Sequence, residues 1–570
     1  MSRKLKDIPK PLLKRFRKRL YTTEHETGEH NVQLFGMDIH NPVFVMAAML
    51  VVFFVAFALV MPELSNTWLN GAKSWSVNNF DWLFMLTSNL ILLFCIGLVF
   101  SPYGKIRIGG INAKPEFSKL SWFAMLFAAG MGIGLMFWST AEPLAYASGW
   151  YGTPLNVEAG SAEAYHAAMG ATMYHWGLHA WAIYAIVGLA LAVFAFNFKF
   201  PLSLRSIFYP LLGERVWGVT GHIIDTLAVV ATIFGLSTSL GLGAQQVASG
   251  LHFLYGEESA EGVKSLFGIE FGLNVLEIGV IAFVTMLAVI SVTRGLEGGV
   301  KVLSNLNMLI ALVFFLFVFM VSNPLQSMAN LASTTVDYAK YILPLSNPVG
   351  RTDNDFYHGW SVFYWAWWVS WSPFVGMFIA RISKGRTVRE FVSSVVIIPT
   401  IVTMIWMSVF GQVALDQYAN QVGELANGVT DASLTLFQML EQMPLSTVTS
   451  IISIILVMVF FVTSSDSGSL VVDTITAGGK LEAPVPQRVF WAVAEGCTAA
   501  ALLYGGGKEA LKALQAGTVS TGLPFSIVLV VMCVSLLMGL KRIHRANEQL
   551  FEEFAEHKQQ LKENTDDTVK

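Results

Sequence analysis

Long apolar runs constrain this chain more than any other feature of its sequence. A helix needs about 20 predominantly apolar residues to cross a bilayer, and such stretches recur from residue 43 to residue 540. The chain is 54% hydrophobic and 13% charged, whereas soluble domains carry about 25% charged residues. We therefore predict an all-α polytopic membrane protein with twelve transmembrane helices. They lie near residues 43–62, 82–100, 119–145, 167–196, 218–252, 272–292, 304–322, 358–380, 391–414, 448–474, 489–504 and 518–540.

The charges of the predicted loops indicate an orientation. Loops that contain Lys or Arg alternate with loops such as 149–166 and 416–433, which contain neither. Because cytoplasmic loops carry the excess of Lys and Arg, both termini are expected in the cytoplasm. The nine Lys and Arg residues within residues 1–20 agree with this, and they could contact anionic lipid.

Two segments are not predicted to cross the membrane. Residues 325–345 have the pattern of an amphipathic helix that lies along the outer surface. Residues 541–565 form a charged helical tail. The tail is either a solvated cytoplasmic helix or a regulatory or interfacial element.

Helix-disfavouring residues interrupt the third and the eighth apolar runs. The third contains GMGIG at 130–134, and the eighth contains WWVSWSP at 367–373. Helices broken at matching positions of two halves indicate a binding site at the membrane midplane, so spans 3–7 and 8–12 would form two halves. The alternating Gly130, Gly132 and Gly134 either unwind to line a cavity or form a close packing face between helices.

Aromatic residues cluster on two of the predicted helices. At about 100° per residue, four rings of the eighth run fall within an arc of roughly 100°, and three rings of the fourth run within roughly 140°. An interfacial belt needs one or two anchors per helix end, so the clusters favour a cage that binds a quaternary ammonium group on ring faces. Neither cluster has a clear acidic partner, which favours a zwitterion whose carboxylate meets freed N–H groups. The rings are Tyr364, Trp367, Trp368 and Trp371, with Trp365 about 60° beyond them, and Trp176, Trp181 and Tyr184.

Hydroxyl and carboxyl groups also occur within the apolar runs. Thr463 and Ser464 could supply oxygens to Na⁺, or they could bond back to their own helix. Asp225 and Asp466 are interpreted as structural, as caps or ion pairs near helix ends. Glu142 and Glu495 are further ionisable groups at membrane depth. Glu495 is interpreted as structural rather than as a proton carrier.

The motifs GMGIGLMFWSTAEP, HWGLHAWAIY and YWAWWVSWSPFVGMFIARISKGRTVREF resemble the betaine–carnitine–choline transporter family over roughly residues 40–540. The resemblance implies twelve spans and a LeuT-like inverted repeat of five plus five helices preceded by two extra helices. It also implies a homotrimer and secondary transport of trimethylammonium compounds. An enzyme is not expected, because no nucleophile triad or His/Asp/Glu metal cluster is evident and His175 and His179 are isolated. A receptor that binds the ligand without moving it is a further alternative, without an appended signalling domain to support it.

The resemblance assigns roles by position. Trp176, Trp181, Tyr184 and Trp368 resemble the central cage, and Trp365, Trp367 and Trp371 resemble pathway or gate aromatics. The unwound segment would be Gly130, Met131, Gly132 and Gly134. One Na⁺ site would comprise Ala128, Met131, Phe460, Thr463 and Ser464, and a possible second site Thr232 and Phe374. Leu236 stands where sodium-coupled carriers have Thr, which puts the second site in doubt or moves its ligands to Thr238 or Ser239.

Together these features predict a Na⁺-coupled symporter that imports glycine betaine or a related compatible solute for osmoprotection across the bacterial inner membrane. Gly134 favours a zwitterion, because choline carriers resemble one another in having an acid there. The alternative is a proton-coupled choline transporter that feeds betaine synthesis. No cofactor besides Na⁺ and no nucleic-acid partner is expected. The predicted parts are a basic cytoplasmic N-terminus (1–42), two N-terminal helices (43–118), a first repeat (119–322), an external helix and loop (323–357), a second repeat (358–540) and a cytoplasmic tail (541–570).

Overall fold

The structure is a computed structural model that describes residues 8–130, 132–258, 264–266, 269–271, 274–294, 301–482 and 484–567. It is 82% helical, which confirms the predicted all-α class. The helices are α1 (Lys10–Arg19), α2 (Asn41–Val60), α3 (Pro62–Phe100), α4 (Lys119–Gly130), α5 (Ile133–Ser148), α6 (Ala162–Trp176), α7 (Leu178–Ala192), α8 (Tyr209–Leu212), α9 (Val219–Tyr255), α10 (Val275–Arg294), α11 (Lys301–Val321), α12 (Pro324–Ser346), α13 (Asn354–Phe356), α14 (Val362–Ile382), α15 (Val388–Ala419), α16 (Thr435–Glu441), α17 (Ser446–Thr476), α18 (Val485–Gly506) and α19 (Ala510–Asp567).

Two small antiparallel sheets accompany the helices. The first is a hairpin of β1 (Asn31–Leu34) and β2 (Met37–His40), in which Asn31 pairs with His40. Its two-residue turn, Phe35 and Gly36, has positive φ at both positions, as hairpin turns of this kind require. The second sheet has the order β3 (Gly256–Glu258), β4 (Lys264–Leu266), β5 (Ile269–Phe271). Neither sheet is expected from the apolar pattern of the sequence.

Helix starts follow local chemistry. Thr387 caps α15 by accepting a hydrogen bond from the Glu390 amide at 3.2 Å, which is half of a capping box. Ser161 caps α6 in the same way through the Ala164 amide at 3.1 Å. Helices α2, α3 and α12 begin with proline in the first turn, where no N–H is needed.

Much of the helical surface is suited to lipid. Among the described residues, nine helices are long and apolar enough to cross a membrane, or ten if the bent pair α11–α12 is counted as one. Helix α11 exposes Leu309, Leu312 and Leu316, and an apolar face of this extent on a soluble protein would favour aggregation. Helices α4 and α5 have 12 and 16 residues, so neither alone is long enough to cross.

Helix α14 is continuous, so the prediction of a break in the eighth run is wrong. Proline at 373 lacks the N–H that would bond the carbonyl of Val369. The Ser372 hydroxyl donates to that carbonyl at 2.7 Å and replaces the missing bond. The helix therefore runs from Val362 to Ile382 with Pro373 inside it.

In contrast to α14, the third and the fourth predicted spans are each broken into two helices. The third run forms α4 and α5, with extended backbone at Gly132 between them. The fourth run forms α6 and α7, which the sequence analysis treated as one helix, with Gly177 at the break. A Cβ at Gly177 would lie 2.6 Å from the Tyr338 hydroxyl of α12. That hydroxyl accepts the freed Leu178 amide at 2.9 Å, so the break is built into the packing of α12.

The basic loops meet at one end of the molecule. The Gly385 amide, in the loop before α15, donates to the Ile108 carbonyl of the loop after α3 at 2.9 Å. Lys480 forms an ion pair with Asp38 of the N-terminal hairpin at 2.5 Å. The tail of α19 reaches the same end, where α1 packs against it. Helix α12 makes an angle of 103° with α11, the helix before it. Residues 325–345 therefore do not continue the seventh predicted span.

Candidate functional site

A chain of aromatic rings lies between α6, α7 and α14. Trp176 and Trp368 meet edge to face with centroids 4.9 Å apart. Trp368 contacts Tyr184 at 6.1 Å, and Tyr184 contacts Trp181 at 5.5 Å, both edge to face. The structure therefore brings together the four rings predicted to form the cage. We call Trp176, Trp181, Tyr184 and Trp368 the ring cluster; each is between 3% and 6% exposed.

Indole N–H bonds fix the α14 rings in place. Trp368 donates to the His175 carbonyl at 2.8 Å, next to the break at Gly177. Trp367 stacks on Trp368 at 5.0 Å and donates to the Ser239 hydroxyl at 3.1 Å. Trp371 donates to the Gly235 carbonyl of α9 at 2.9 Å. Because these donors are satisfied by protein groups, a ligand would meet the rings and not their N–H groups, and one face each of Trp367 and Trp368 is covered by the other ring.

Trp365 lies away from the ring cluster. It is fully buried and contacts Tyr174 at 5.0 Å and His179 at 5.4 Å. Residues two apart on a helix are separated by about 200°, so Trp365 and Trp367 face different directions. The structure thus separates Trp365 from the two other rings that were grouped with it as pathway aromatics.

The broken third span faces the rings. A Cβ at Gly134 would lie 2.8 Å from Trp367 Cη2 and 3.0 Å from Trp176 Cη2. A Cβ at Gly132 would lie 3.7 Å from Trp371 Cη2, which is ordinary contact. Gly134 is therefore needed for close approach to the rings. Gly130 ends α4, and Met131 lies outside the described residues.

The break at Gly177 changes the geometry on which the predicted arc of the fourth run depended. Trp176 is the last residue of α6, whereas Trp181 and Tyr184 belong to α7. The arc of roughly 140° assumed one continuous helix and does not apply. The three rings converge because the chain changes direction at Gly177, between Trp176 of α6 and the two rings of α7.

A buried acid adjoins the rings, so the prediction that the clusters lack an acidic partner is wrong. Glu142 of α5 is fully buried and accepts from the Trp176 indole N–H at 2.6 Å and from the Tyr364 hydroxyl. His175 is not isolated either, since its Nδ1 lies 3.1 Å from Glu142. Sequence distance hid this arrangement, because 33 and 222 residues separate Glu142 from His175 and Tyr364.

Among the described residues, one buried polar atom of the ring cluster has no hydrogen-bond partner. The Tyr184 hydroxyl is buried and makes no hydrogen bond among the described residues. Buried polar groups of native proteins are nearly always satisfied. A bound ligand or water would satisfy this one.

The predicted Na⁺ ligands on α17 have mixed surroundings. Thr463 bonds to the carbonyls of its own helix, Val459 at 3.0 Å and Phe460 at 3.1 Å. Thr463 and Ser464 are half-buried, and Phe460 is buried. Ala128 belongs to α4, whose last carbonyls have no partner within the helix because it ends at Gly130. Hydroxyls and free carbonyls are the oxygens that Na⁺ would use.

The predicted second Na⁺ site is less well supplied with oxygens. Thr232 is fully buried and donates to its own helix, to the Ala228 carbonyl, at 2.7 Å. Phe374 contacts Trp371 at 5.5 Å. Thr238 donates to the Leu514 carbonyl of α19 at 3.0 Å, and Ser239 accepts from Trp367. Leu236 is fully buried and provides no oxygen side chain.

The other ionisable groups at membrane depth have different partners. Asp225 forms a buried ion pair with Arg205 at 2.8 Å and accepts its amide at 2.9 Å, as a structural role predicts. Asp466 accepts from Ser291 at 2.7 Å. Glu495 is fully buried and accepts from Ser465 at 3.0 Å through Oε2. Its Oε1 has no partner among the described residues.

A histidine cluster lies apart from the rings, contrary to the expectation that no such cluster exists. The ligand atoms of His25, Glu29 and His30 lie within 4.8 Å of one another. Partial burial, which includes stacking on Trp217 at 4.4 Å, lowers the pKa of His25. Glu29 and His30 are exposed. These residues lie in the N-terminal segment before β1.

Comparison with known proteins places these features in a family. Residues 42–545 match the family described as BCCT, betaine/carnitine/choline family transporter. A glycine betaine/proline/choline/ectoine transporter of Vibrio parahaemolyticus is 58% identical over 91% of this chain and 90% of its own length. Glycine betaine transporter 1 of the same organism is 58% identical over 91% and 97%. A glycine betaine/proline/choline transporter of that organism is 48% identical over 91% and 94%.

The extent of these matches decides the identity. The family covers nearly all of the apolar helices, and each of the three relatives is covered over 90% or more of its length. The resemblance seen in the motifs is confirmed, as is the expectation that the protein is not an enzyme. The chain belongs to the betaine/carnitine/choline transporter family and is a multi-pass membrane transporter.

Proposed function

We propose that this protein is a secondary active symporter that imports glycine betaine or a related quaternary ammonium or sulfonium solute, coupled to Na⁺. The observation that carries the proposal is the ring cluster, in which four buried aromatic rings contact one another in sequence beside a broken helix. Ring faces attract a cation that cannot donate hydrogen bonds. Two relatives carry names that include glycine betaine, which supports a quaternary ammonium compound as the substrate.

The cage would hold the trimethylammonium group against Trp181, Tyr184 and Trp368, with Trp176 closing its edge. The unpartnered Tyr184 hydroxyl is available to the substrate carboxylate. The first amides of α5 are a second donor group, since a helix N-terminus attracts negative charge and α5 starts at Ile133. Trp365, Trp367 and Trp371 would line the path on either side, with Trp365 packed against Tyr174 and His179 rather than against the cage.

Sodium would join the broken third span to α17. The proposed ligands are the carbonyls of Ala128, Met131 and Phe460 and the hydroxyls of Thr463 and Ser464. The end of α4 at Gly130 leaves carbonyls without helical partners, which supports this assignment. A second site at Thr232 and Phe374 would need other oxygens, because Leu236 supplies none.

The proposed architecture follows from the family. It has twelve transmembrane helices, of which the last ten form the inverted repeat of five plus five. It assembles as a homotrimer in the bacterial inner membrane, with both termini in the cytoplasm and the basic residues of α1 near anionic lipid. Alternating access around the ring cluster would drive uptake for osmoprotection. The meeting of both termini and the basic loops at one end supports this orientation.

Proton-coupled choline uptake is the second candidate. The observation in its favour is Glu495, a fully buried carboxyl with one oxygen unpartnered among the described residues. Buried carboxyl groups at membrane depth are the usual proton carriers of proton-coupled transporters.

Uptake of radiolabelled glycine betaine and choline into proteoliposomes tests the proposal. The vesicles receive either a Na⁺ gradient or a proton gradient, with no gradient as the control. We expect glycine betaine uptake that requires Na⁺ and is lost in Thr463→Ala. Uptake of choline driven by protons alone, and abolished by Glu495→Gln, would replace this proposal with the second candidate.

A further inference from the structure

The Glu142 side chain connects three helices directly behind the ring cluster. Its Oε2 accepts from Trp176 of α6 at 2.6 Å and from Tyr364 of α14. Its Oε1 accepts from Tyr146 of α5 at 2.7 Å and lies 3.1 Å from His175 Nδ1. Each carboxylate oxygen therefore has two partners, and all of these side chains are buried.

This pattern fits a carboxylate that acts only as a hydrogen-bond acceptor. A carboxylate has about four lone-pair positions and donates nothing, and here all four are used. The indole N–H can only donate. His175 fits as a donor from Nδ1, because its Nε2 lies 2.9 Å from the Ser361 hydroxyl, which can donate to it. The Nδ1–H is shared between Glu142 and the Tyr146 hydroxyl, which lies 2.9 Å from Nδ1. Among the described residues, no lysine or arginine bonds to Glu142.

The negative charge acts on the rings that contact it. Trp176 is both a donor to Glu142 and an edge-to-face neighbour of Trp368. Tyr364, the second ring donor, contacts Trp176 at 5.7 Å and Trp368 at 5.8 Å. Hydrogen bonding to an anion polarises a donor, and this increases the electron density of the ring that a cation meets.

We propose that Glu142 is a positioning and specificity-determining residue, whose buried charge lets the ring cluster accept cations that lack a carboxylate of their own, such as choline. The proposal rests on the proposed function. Choline carries a net positive charge, so it gains the full attraction of the buried charge. Glycine betaine gains less, because its own carboxylate is repelled. Gly134 therefore does not restrict the site to zwitterions, since the acid is supplied eight residues later in the same broken span.

Binding of choline and glycine betaine to the purified full-length protein tests this by isothermal titration calorimetry. Glu142→Gln removes the charge with little change of shape. We expect the choline affinity to fall by at least tenfold and the glycine betaine affinity by less than threefold. Tyr146→Phe is the matched control: it removes one hydrogen bond to the same carboxylate but keeps the charge, so the ratio of the two affinities should stay within threefold of wild type.

A merely structural role for Glu142 predicts equal losses for both ligands, and that result would overturn the inference. So would a wild-type protein that binds glycine betaine but not choline. If Glu142→Gln does not fold, Glu142→Asp is tested instead, because aspartate keeps the negative charge. The affinity for choline relative to glycine betaine should then stay close to that of wild type. A large fall in this relative affinity in Glu142→Asp would contradict the proposal. A wild-type protein that binds neither ligand would instead contradict the proposed function.

Discussion

Individual residues at the ring cluster are fixed by contacts that the sequence shows only in part. The motif around Gly134 indicates a special backbone, but not which atoms need the space. The structure shows that Trp367 and Trp176 occupy it. Likewise, the aromatic residues identify a cage, whereas the acid behind it comes from a different helix and is linked by long-range hydrogen bonds.

Replacing Gly134 with alanine is expected to weaken substrate binding. The new methyl group would lie 2.8 Å and 3.0 Å from two tryptophan rings, so those rings must move. Overpacking of a well-packed site costs about 1–3 kcal/mol, which corresponds to roughly 5- to 150-fold in affinity. Calorimetric titration with glycine betaine checks this. Gly132→Ala is the control, since its methyl group would make ordinary contact at 3.7 Å; equal losses in both variants would contradict the explanation.

At the scale of elements, the break between α6 and α7 orients half of the ring cluster. Its signal in the sequence is a single glycine in an apolar run, and such a glycine is often tolerated within a helix. What ends the helix is a hydroxyl from α12, a helix more than 140 residues further along the chain. No local pattern near Gly177 contains that information. The same holds for α14, where Pro373 predicted a break that Ser372 prevents.

Replacing Tyr338 with phenylalanine is expected to destabilise this break. The variant leaves the Leu178 amide without its acceptor, and an unsatisfied buried donor costs about 1–3 kcal/mol. The midpoint of thermal unfolding in detergent should fall, and glycine betaine affinity should fall with it. Tyr341→Phe removes a hydroxyl from the same helix that contacts Glu163 near the surface. That control should leave both quantities nearly unchanged; a lower midpoint in the control but not in Tyr338→Phe would contradict the account.

For the whole molecule, hydropathy and loop charge predicted the class, the positions of most long helices and the gathering of basic loops. These follow from local composition and from the length of a bilayer crossing. The count of twelve crossings stays a prediction, because nine or ten of the described helices are long and apolar enough by themselves. Contacts between distant segments were not predictable, and the pairing of the termini is one of them.

The termini pack on each other through an apolar cluster. Ile8, just before α1, and Leu12 of α1 pack against Leu550 and Phe554 of the α19 tail. Arg19 forms an ion pair with Glu553. Leu12→Asp would place a charge in this cluster, so the tail should detach. We expect limited proteolysis after residue 541 to become at least several-fold faster. Lys14→Asp changes an exposed residue of the same helix and should have little effect; unchanged cleavage in Leu12→Asp would contradict this packing.

The central claim is that the faces of particular tryptophan rings bind the quaternary ammonium group. Calorimetric titration of glycine betaine into purified wild type, Trp368→Leu and Trp365→Leu tests it most directly. A desolvated cation–π contact contributes about 2 kcal/mol, which is roughly 30-fold in affinity. The account predicts a loss of that order in Trp368→Leu and a change of less than about threefold in Trp365→Leu, because Trp365 packs against Tyr174 and His179 instead. Equal losses in the two folded variants, or full binding by Trp368→Leu, would contradict it.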